Sequence, residues 1–244
     1  MALIDRLKTL AKSFGDPIWW WLSRRELHAL LEAYPTGCAA HVVLIVSEHR
    51  GYGWYKRLSA LQVGDELGHL ADWARVRRPR VIVEIGTARG GTLLMWSRIA
   101  RERVISIDLP GGIHGGGYAA AKTRLFREFV HDRPGVRVDL LRASSHDTQT
   151  KHAVMRLLDG AAVDILFIDG DHRLEGVTRD FELWHDLVRT GGSIVFHDIL
   201  PNVDEPTCHV DVLWQTVTRQ YPGQTEEIVS DRNQGGAGIG ILTV

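Results

Sequence analysis

From about residue 60 onward, short apolar runs alternate with amphipathic stretches. The runs are Val81–Ile85, Val104–Ile107, Val136–Leu141, Val163–Ile168, Ser193–Phe196 and a tail at Ile239–Thr243. Between and around them, helical patterns cover Leu61–Arg75, Thr92–Ala100, Ala119–Val130, Thr148–Leu158, Gly176–Leu187 and Val210–Gln220. Short apolar strands alternating with helices predict an α/β fold: a Rossmann-like, doubly wound, mainly parallel sheet buried on both faces.

The start of the chain has a different pattern. Leu3, Ile4, Leu7, Leu10, Ala11 and Phe14 recur at helical spacing, and Gly15-Asp16-Pro17 predicts a stop. A second apolar stretch follows with Trp19, Trp20, Trp21 and Leu22. We expect residues 1–50 to form an N-terminal helical arm or lid and residues 51–244 to form the main domain. The tryptophans read either as a packing surface or as a homo-oligomer contact or pocket wall, because clustered Trp is enriched at interfaces. Asp5, Asp16 and Glu26 argue against a membrane-surface helix.

Composition narrows the class. The 244 residues suffice for one α/β domain with an extra segment, and a net charge of −1 provides no global basic field for nucleic acid. Cys38 and Cys208 do not make a disulfide framework, which fits a reducing, cytoplasmic setting. No apolar run reaches the roughly 18 residues of a membrane span, so no integral membrane segment is expected.

The first strand runs into Val83-Glu84-Ile85-Gly86-Thr87-Ala88-Arg89-Gly90-Gly91-Thr92. The glycines allow a sharp turn and close approach of a ligand. Ala88 stands where a dinucleotide-binding loop would need glycine. Glu84 is the informative residue: a carboxylate there accepts from the ammonium of an amino-acid ligand and repels a pyrophosphate. Asp108 ends the second strand, one βαβ unit later, where an acidic residue binds both hydroxyls of a ribose. An amino acid and a ribose in one ligand describe S-adenosylmethionine (SAM). Thr87 and Gly90 belong to the same loop. After the third strand, Ser145 and His146 are placed either beside an adenine or, with Ser144 and Asp147, at a helix N-terminus.

Ordered along the chain, EIGTARGGTL, ISIDLPGG, LLRASSHD, LFIDGDHRLEGVTRDFELW, GGSIVFHDI and NQGGAGIGIL resemble catechol-type O-methyltransferases. They resemble more closely the cephalosporin-hydroxylase-related and macrocin-type O-methyltransferases, over roughly residues 50–244. The resemblance implies a class I methyltransferase fold, SAM as cofactor and methyl transfer. It also implies a divalent-metal site at Asp169, His197 and Asp198, with Asp169 close to the cofactor.

Those residues lie at two strand ends, Asp169-Gly170-Asp171-His172 and Phe196-His197-Asp198. Carboxylates suit Mg²⁺. His197, however, stands where the resembling families carry an oxygen donor, and imidazole suits Zn²⁺, Fe²⁺, Mn²⁺ or Ni²⁺ better. Two readings stay open: a divalent ion other than magnesium, or no ion and His197 or His172 acting as general base. Glu175, Arg179, Asp180 and Glu182 read as a solvated helix face. His114, with Gly111, Gly112, Gly115, Gly116 and Gly117, reads as a closing loop or an ordinary surface loop, and Gln234-Gly235-Gly236 as a turn or an approach to the site. The expected activity is SAM-dependent O-methylation of a small hydroxylated metabolite, such as a natural-product sugar or phenol. Its rivals are a metal-dependent hydroxylase-like enzyme and a non-catalytic SAM-binding interaction protein.

Overall fold

A computed structural model describes residues 15–60, 62–110 and 117–244 in full, and residues 2–14 as backbone. The predicted loop around His114, Leu61 and the side chains of the apolar stripe from Leu3 to Phe14 lie outside the described residues. The helices are α1 (Ala2–Ala33), α2 (Ala39–Glu48), α3 (Gly64–Arg77), α4 (Gly91–Ile99), α5 (Lys122–Arg127), α6 (Thr148–Leu158), α7 (Leu174–Trp184) and α8 (Val210–Gln220). The strands are β1 (Val81–Ile85), β2 (Arg103–Asp108), β3 (Arg137–Arg142), β4 (Val163–Ile168), β5 (Val188–His197), β6 (Thr225–Ile228) and β7 (Ile239–Thr243).

These strands form a seven-stranded sheet in the order β3-β2-β1-β4-β5-β7-β6. β1 pairs in parallel with both β2 and β4, and β7 is antiparallel to β5 and to β6. The expected doubly wound, mainly parallel sheet is therefore present. Strand order reverses between β1 and β4, which opens a crevice beyond their carboxyl ends. Every residue of β1 is buried, Glu84 included, because helices cover both faces of the sheet. One core holds Leu27, Leu31, Ile45, Leu70, Trp96 and Phe126; the other holds Val83, Leu166, Trp184, Phe196 and Trp214. Among the described residues, no helix is long and apolar enough to cross a membrane.

Two local expectations are corrected. Gly15-Asp16-Pro17 does not end a helix: α1 runs through Pro17 to Ala33. Proline in a helix interior costs about 3 kcal/mol, and tertiary contacts offset it here. Asp16 accepts from Tyr55 Oη at 2.8 Å and from Arg124 at 3.0 Å, while the Trp19 ring packs over Gly15 one turn back. Leu27 and Leu31 on the continued helix are fully buried in the first core. The second correction concerns α7, whose supposed solvated face is broken by Asp180, which is completely buried, whereas Glu175, Arg179 and Glu182 are exposed.

Candidate active site

The turn after β1 is shaped by close approach. Gly86 has φ +96°, and a Cβ on it would collide with the Asp169 carbonyl at the end of β4. Gly91 opens α4 against the Ser59–Ala60 backbone, its N–H donating to Ser59 O at 3.1 Å, and a side chain there would strike that segment. Only glycine permits both contacts.

Beyond Gly86 lies a cavity of about 330 Å³, lined by Gly86, Ala88, Asp108, Ser144, Ser145, His146 and Asp169 among others. Asp108 is oriented by backbone donors: Ala88 N at 2.7 Å and Gly117 N at 3.0 Å meet Oδ2, and Leu109 N at 2.8 Å meets Oδ1. Burial raises its pKa, and these donors oppose that rise. On the far wall, His146 Nε2 lies 3.3 Å from Asp180 Oδ1, whose carboxylate raises the imidazole above its ordinary value. Trp184 Nε1 donates to Ser145 O at 3.0 Å. Helix α7 thus fixes the Ser145–His146 loop.

Glu84, Thr87 and Gly90 sit beneath this wall rather than on it. Ser106 Oγ donates to Glu84 Oε2 at 2.5 Å and is 2.6 Å from Thr87 Oγ1. Glu84 Oε1 is buried without a hydrogen-bond partner. Burial pushes the carboxyl up to about 8, against the pull of Ser106 and Thr92. Gly90, at φ +84°, precedes α4 against Phe126.

Asp169 is the corner where this cavity meets a titratable cluster. Its Oδ1 lies 3.2 Å from His197 Nδ1 and 3.4 Å from His172 Nε2. Asp198 Oδ2 lies 3.2 Å from the same His197 nitrogen and 3.4 Å from His172 Nδ1. The two carboxylate oxygens and two imidazoles thus alternate around one point. Asp198 has φ +63°, a conformation that costs a non-glycine residue on the order of 1–3 kcal/mol and is found where structure over-determines it. Burial opposes charge throughout, yet the imidazoles hold Asp169 well below the usual carboxylate range. The carboxylates in turn raise His197 to about 10, and with Cys208 they raise His172 to about 11.

This donor set fits a divalent cation. His197 is buried, and neither ring nitrogen makes a well-formed hydrogen bond, a costly arrangement unless the ring serves a ligand. Asp169, His197 and Asp198 bring one donor atom each within 4.8 Å of one another, as do His172, Asp198 and Cys208. Mixed nitrogen and oxygen donors suit a transition-metal ion better than magnesium.

Comparison with known proteins identifies the fold's chemistry. The profile of a family described as "Methyltransferase domain" matches residues 83–199, which span the cavity and the cluster. An uncharacterized protein, R132, of Acanthamoeba polyphaga mimivirus is 32% identical over 166 residues, covering 61% of this chain and 71% of that protein. Residues 83–199 are thus a methyltransferase domain. The chain is a SAM-dependent methyltransferase with a class I fold. Two solved structures share the fold. Cofactor-bound Rv0187 from MTB has a TM-score of 0.56 at 20% identity, with 84% of this chain and 89% of that one covered. The O-methyltransferase from Bacillus cereus in complex with SAH has a TM-score of 0.53 at 15% identity, covering 90% and 91%.

Within this methyltransferase, Gly86, Asp108, Ser145, His146 and Asp169 are brought to one cavity, and Asp169, His172, His197 and Asp198 to one cluster. Asp171 does not join that cluster, because Arg173 pairs with it at 2.6 Å. Asp147 caps α6, accepting from Gln149 N at 2.9 Å, as the helix N-terminus reading of that loop expected, while Ser145 and His146 line the cavity. Gln234 turns toward Glu66, donating to Oε1 at 2.7 Å.

Gln62, Glu66 and Cys208 were not anticipated at the site. Gln62 Nε2 donates to Asp169 Oδ2 at 2.6 Å. Glu66, fully buried, also accepts from Ser230 N and Gly238 N at 3.0 Å, and Gly238 O in turn receives Ile199 N just past the cluster. No strand-end pattern marks these residues. For Glu66, the available signal was its helical register: it shares the side of α3 that carries Leu67, Leu70, Ala71 and Ala74.

Proposed function

We propose that this methyltransferase transfers a methyl group to the oxygen of a small hydroxylated metabolite, a sugar or phenol, with a divalent ion held by Asp169, His197 and Asp198. One observation carries the reading: Asp169 lines the cofactor cavity and is also a corner of the titratable cluster, so methyl donor and acceptor oxygen would meet there. SAM supplies an electrophilic methyl on a sulfonium. Asp108 accepts from the ribose hydroxyls, the Ser145–His146 loop flanks the adenine, and the open Gly86 turn admits the cofactor chain. The unpartnered Oε1 of Glu84 is the acceptor left for the ammonium.

A divalent ion at the cluster would lower the pKa of the acceptor hydroxyl and hold its oxygen in place. His172 is half-buried and is the candidate base. In the structure the two carboxylates keep it protonated. It can take the hydroxyl proton only once those carboxylates are neutralised by another cation. The net charge of −1 supports a small-molecule acceptor over a polyanion.

The test is calorimetric titration with SAM and SAH, followed by product mass analysis with labelled SAM and a panel of hydroxylated acceptors. Asp108→Ala should weaken SAM binding by about 1–3 kcal/mol, the scale of lost charge-assisted hydrogen bonds. SAM binding with no methylated product on any acceptor would favour a non-catalytic SAM-binding protein. An oxygen-consuming turnover would favour the hydroxylase reading.

A further inference from the structure

A second concavity of about 810 Å³ adjoins the cofactor cavity and shares Ala88 with it. Its lining includes Lys56, Arg57, Arg89 and Lys122 and no carboxylate. Elsewhere the described arginines are commonly paired, as in Arg98–Asp132, Arg124–Asp16 and Arg189–Asp164. Among the described residues, no ion pair involves any of the four basin cations. Lys122 is the most telling. It is buried, and its ammonium donates to the Arg57 carbonyl at 3.0 Å rather than to an acid. Burial, and then the fields of Arg89 and Arg57, push it down to about 8. A buried ammonium facing other cations is costly unless an anion completes the site.

The other walls are aromatic: Trp19, Tyr52, Trp54 and Tyr118. The Trp19 ring packs on Gly53, where a Cβ would overlap it, and the chain from Ser59 to Ala60 is clamped on Gly91. Residues 52–57 thus border this basin, and Gln62, a few residues on, donates to Asp169 at the reacting corner.

We infer that this basin binds an oxyanion, a phosphate or carboxylate, carried on the ring of the methyl acceptor, with Arg57, Arg89 and Lys122 as anion ligands and the aromatic walls against the ring. Guanidinium forks match oxyanions bidentately, and aromatic faces accommodate a planar or sugar ring. The inference rests on the methyl-transfer reading of the adjoining cavity. The same cations could instead serve the carboxylate of the cofactor, so the test separates the two sources.

Phenyl phosphate, benzoate and phenol are titrated into the full-length protein with and without saturating SAH. Phenyl phosphate and benzoate should bind at least about tenfold tighter than phenol, and the difference should shrink as salt is raised. Arg57→Gln and Arg89→Gln, both at exposed positions, should each cut phenyl phosphate affinity by about fivefold or more while leaving SAH affinity within about twofold. Equal binding of phenol and phenyl phosphate would overturn the proposal. So would variants that lose SAH affinity instead, which would assign the cations to the cofactor carboxylate. A single-stranded RNA oligonucleotide that outcompetes phenyl phosphate would likewise overturn a small acceptor. If the parent protein binds phenyl phosphate but no SAH, the methyl-transfer reading fails and the anion site stands.

Discussion

Gln62 Nε2 donates to Asp169 Oδ2 at 2.6 Å, tying off one carboxylate oxygen and leaving the other to face His197 and His172. Gln62 lies just before α3, whereas Asp169 directly follows β4, so this contact ties the two segments together and orients the carboxylate. Partners that orient metal ligands typically contribute about 10–100-fold in metal affinity. Gln62→Ala should therefore weaken Mn²⁺ or Zn²⁺ binding by about tenfold and change SAH affinity far less. Calorimetry with each ligand measures both. Equal losses for metal and SAH would make Gln62 a general packing residue.

The cluster's nitrogen donors lead to a prediction about ion choice. Titration of the metal-stripped protein should rank Mn²⁺ or Zn²⁺ above Mg²⁺, because imidazole is a poor ligand for magnesium. Asp169→Asn and Asp198→Asn should each abolish ion binding yet retain most SAH affinity. His197→Ala should narrow the gap between magnesium and the transition ions by removing a nitrogen donor. Undiminished methyl transfer after exhaustive EDTA treatment would remove the ion from the reaction and leave proton transfer to the histidines alone.

Glu84 should make the ligand-free protein's stability fall with rising pH. Its folded value is pushed up to about 8 from 4.5, so the folded protein holds a proton that the unfolded chain releases. This contribution is fully present below about pH 4.5 and is lost as pH rises through about 8. Glu84→Gln keeps an uncharged acceptor for Ser106 and should flatten that part of the profile, so that the variant overtakes the parent toward pH 8. Thermal melts from pH 5 to 9 compare the two. Parallel profiles would show that Glu84 is ionised in the ligand-free fold.

The sheet was legible because its strands are continuous apolar runs separated by amphipathic helices, and β1, β4 and β7 fall at the predicted boundaries. The Asp169, His197 and Asp198 corner was legible because parallel strands deliver their carboxyl ends to one edge. Strand β6, Thr225–Ile228, was missed: TEEI sits at the sheet edge with two exposed glutamates and carries little apolar signal. Helix α2, Ala39–Glu48, was missed because its apolar stretch lies outside the strand–helix alternation. The continuation of α1 through Pro17 depends on Tyr55 and Arg124, distant residues that hold Asp16, and no local rule contains them. The burial of Asp180 is a further case, since charge pattern alone placed it on the solvated side of α7.

The tryptophan-bearing stretch of α1 divides into residues that build the core and residues that face outward, and the two should respond differently to mutation. Trp20 packs against Tyr55 at 5.3 Å with Arg124 over its face at 4.4 Å, and Leu27 and Leu31 are fully buried further along the helix. Leu27→Ala or Leu31→Ala should cost about 2–5 kcal/mol, the transfer and cavity terms together. Trp21, by contrast, is 56% exposed, and Ile18, three residues earlier on the same helix side, is 66% exposed. Their shared face is the part of the arm that fits a homo-oligomer contact. Trp21→Ala should change monomer stability by no more than about 0.5 kcal/mol, as exposed substitutions usually do, and yet weaken self-association in sedimentation velocity. The pairing of the two measurements matters, because a core defect would lower the melting temperature before it altered assembly. If Trp21→Ala sediments like the parent at every concentration, the outward face of α1 has no part in assembly and the arm's role is confined to covering the core.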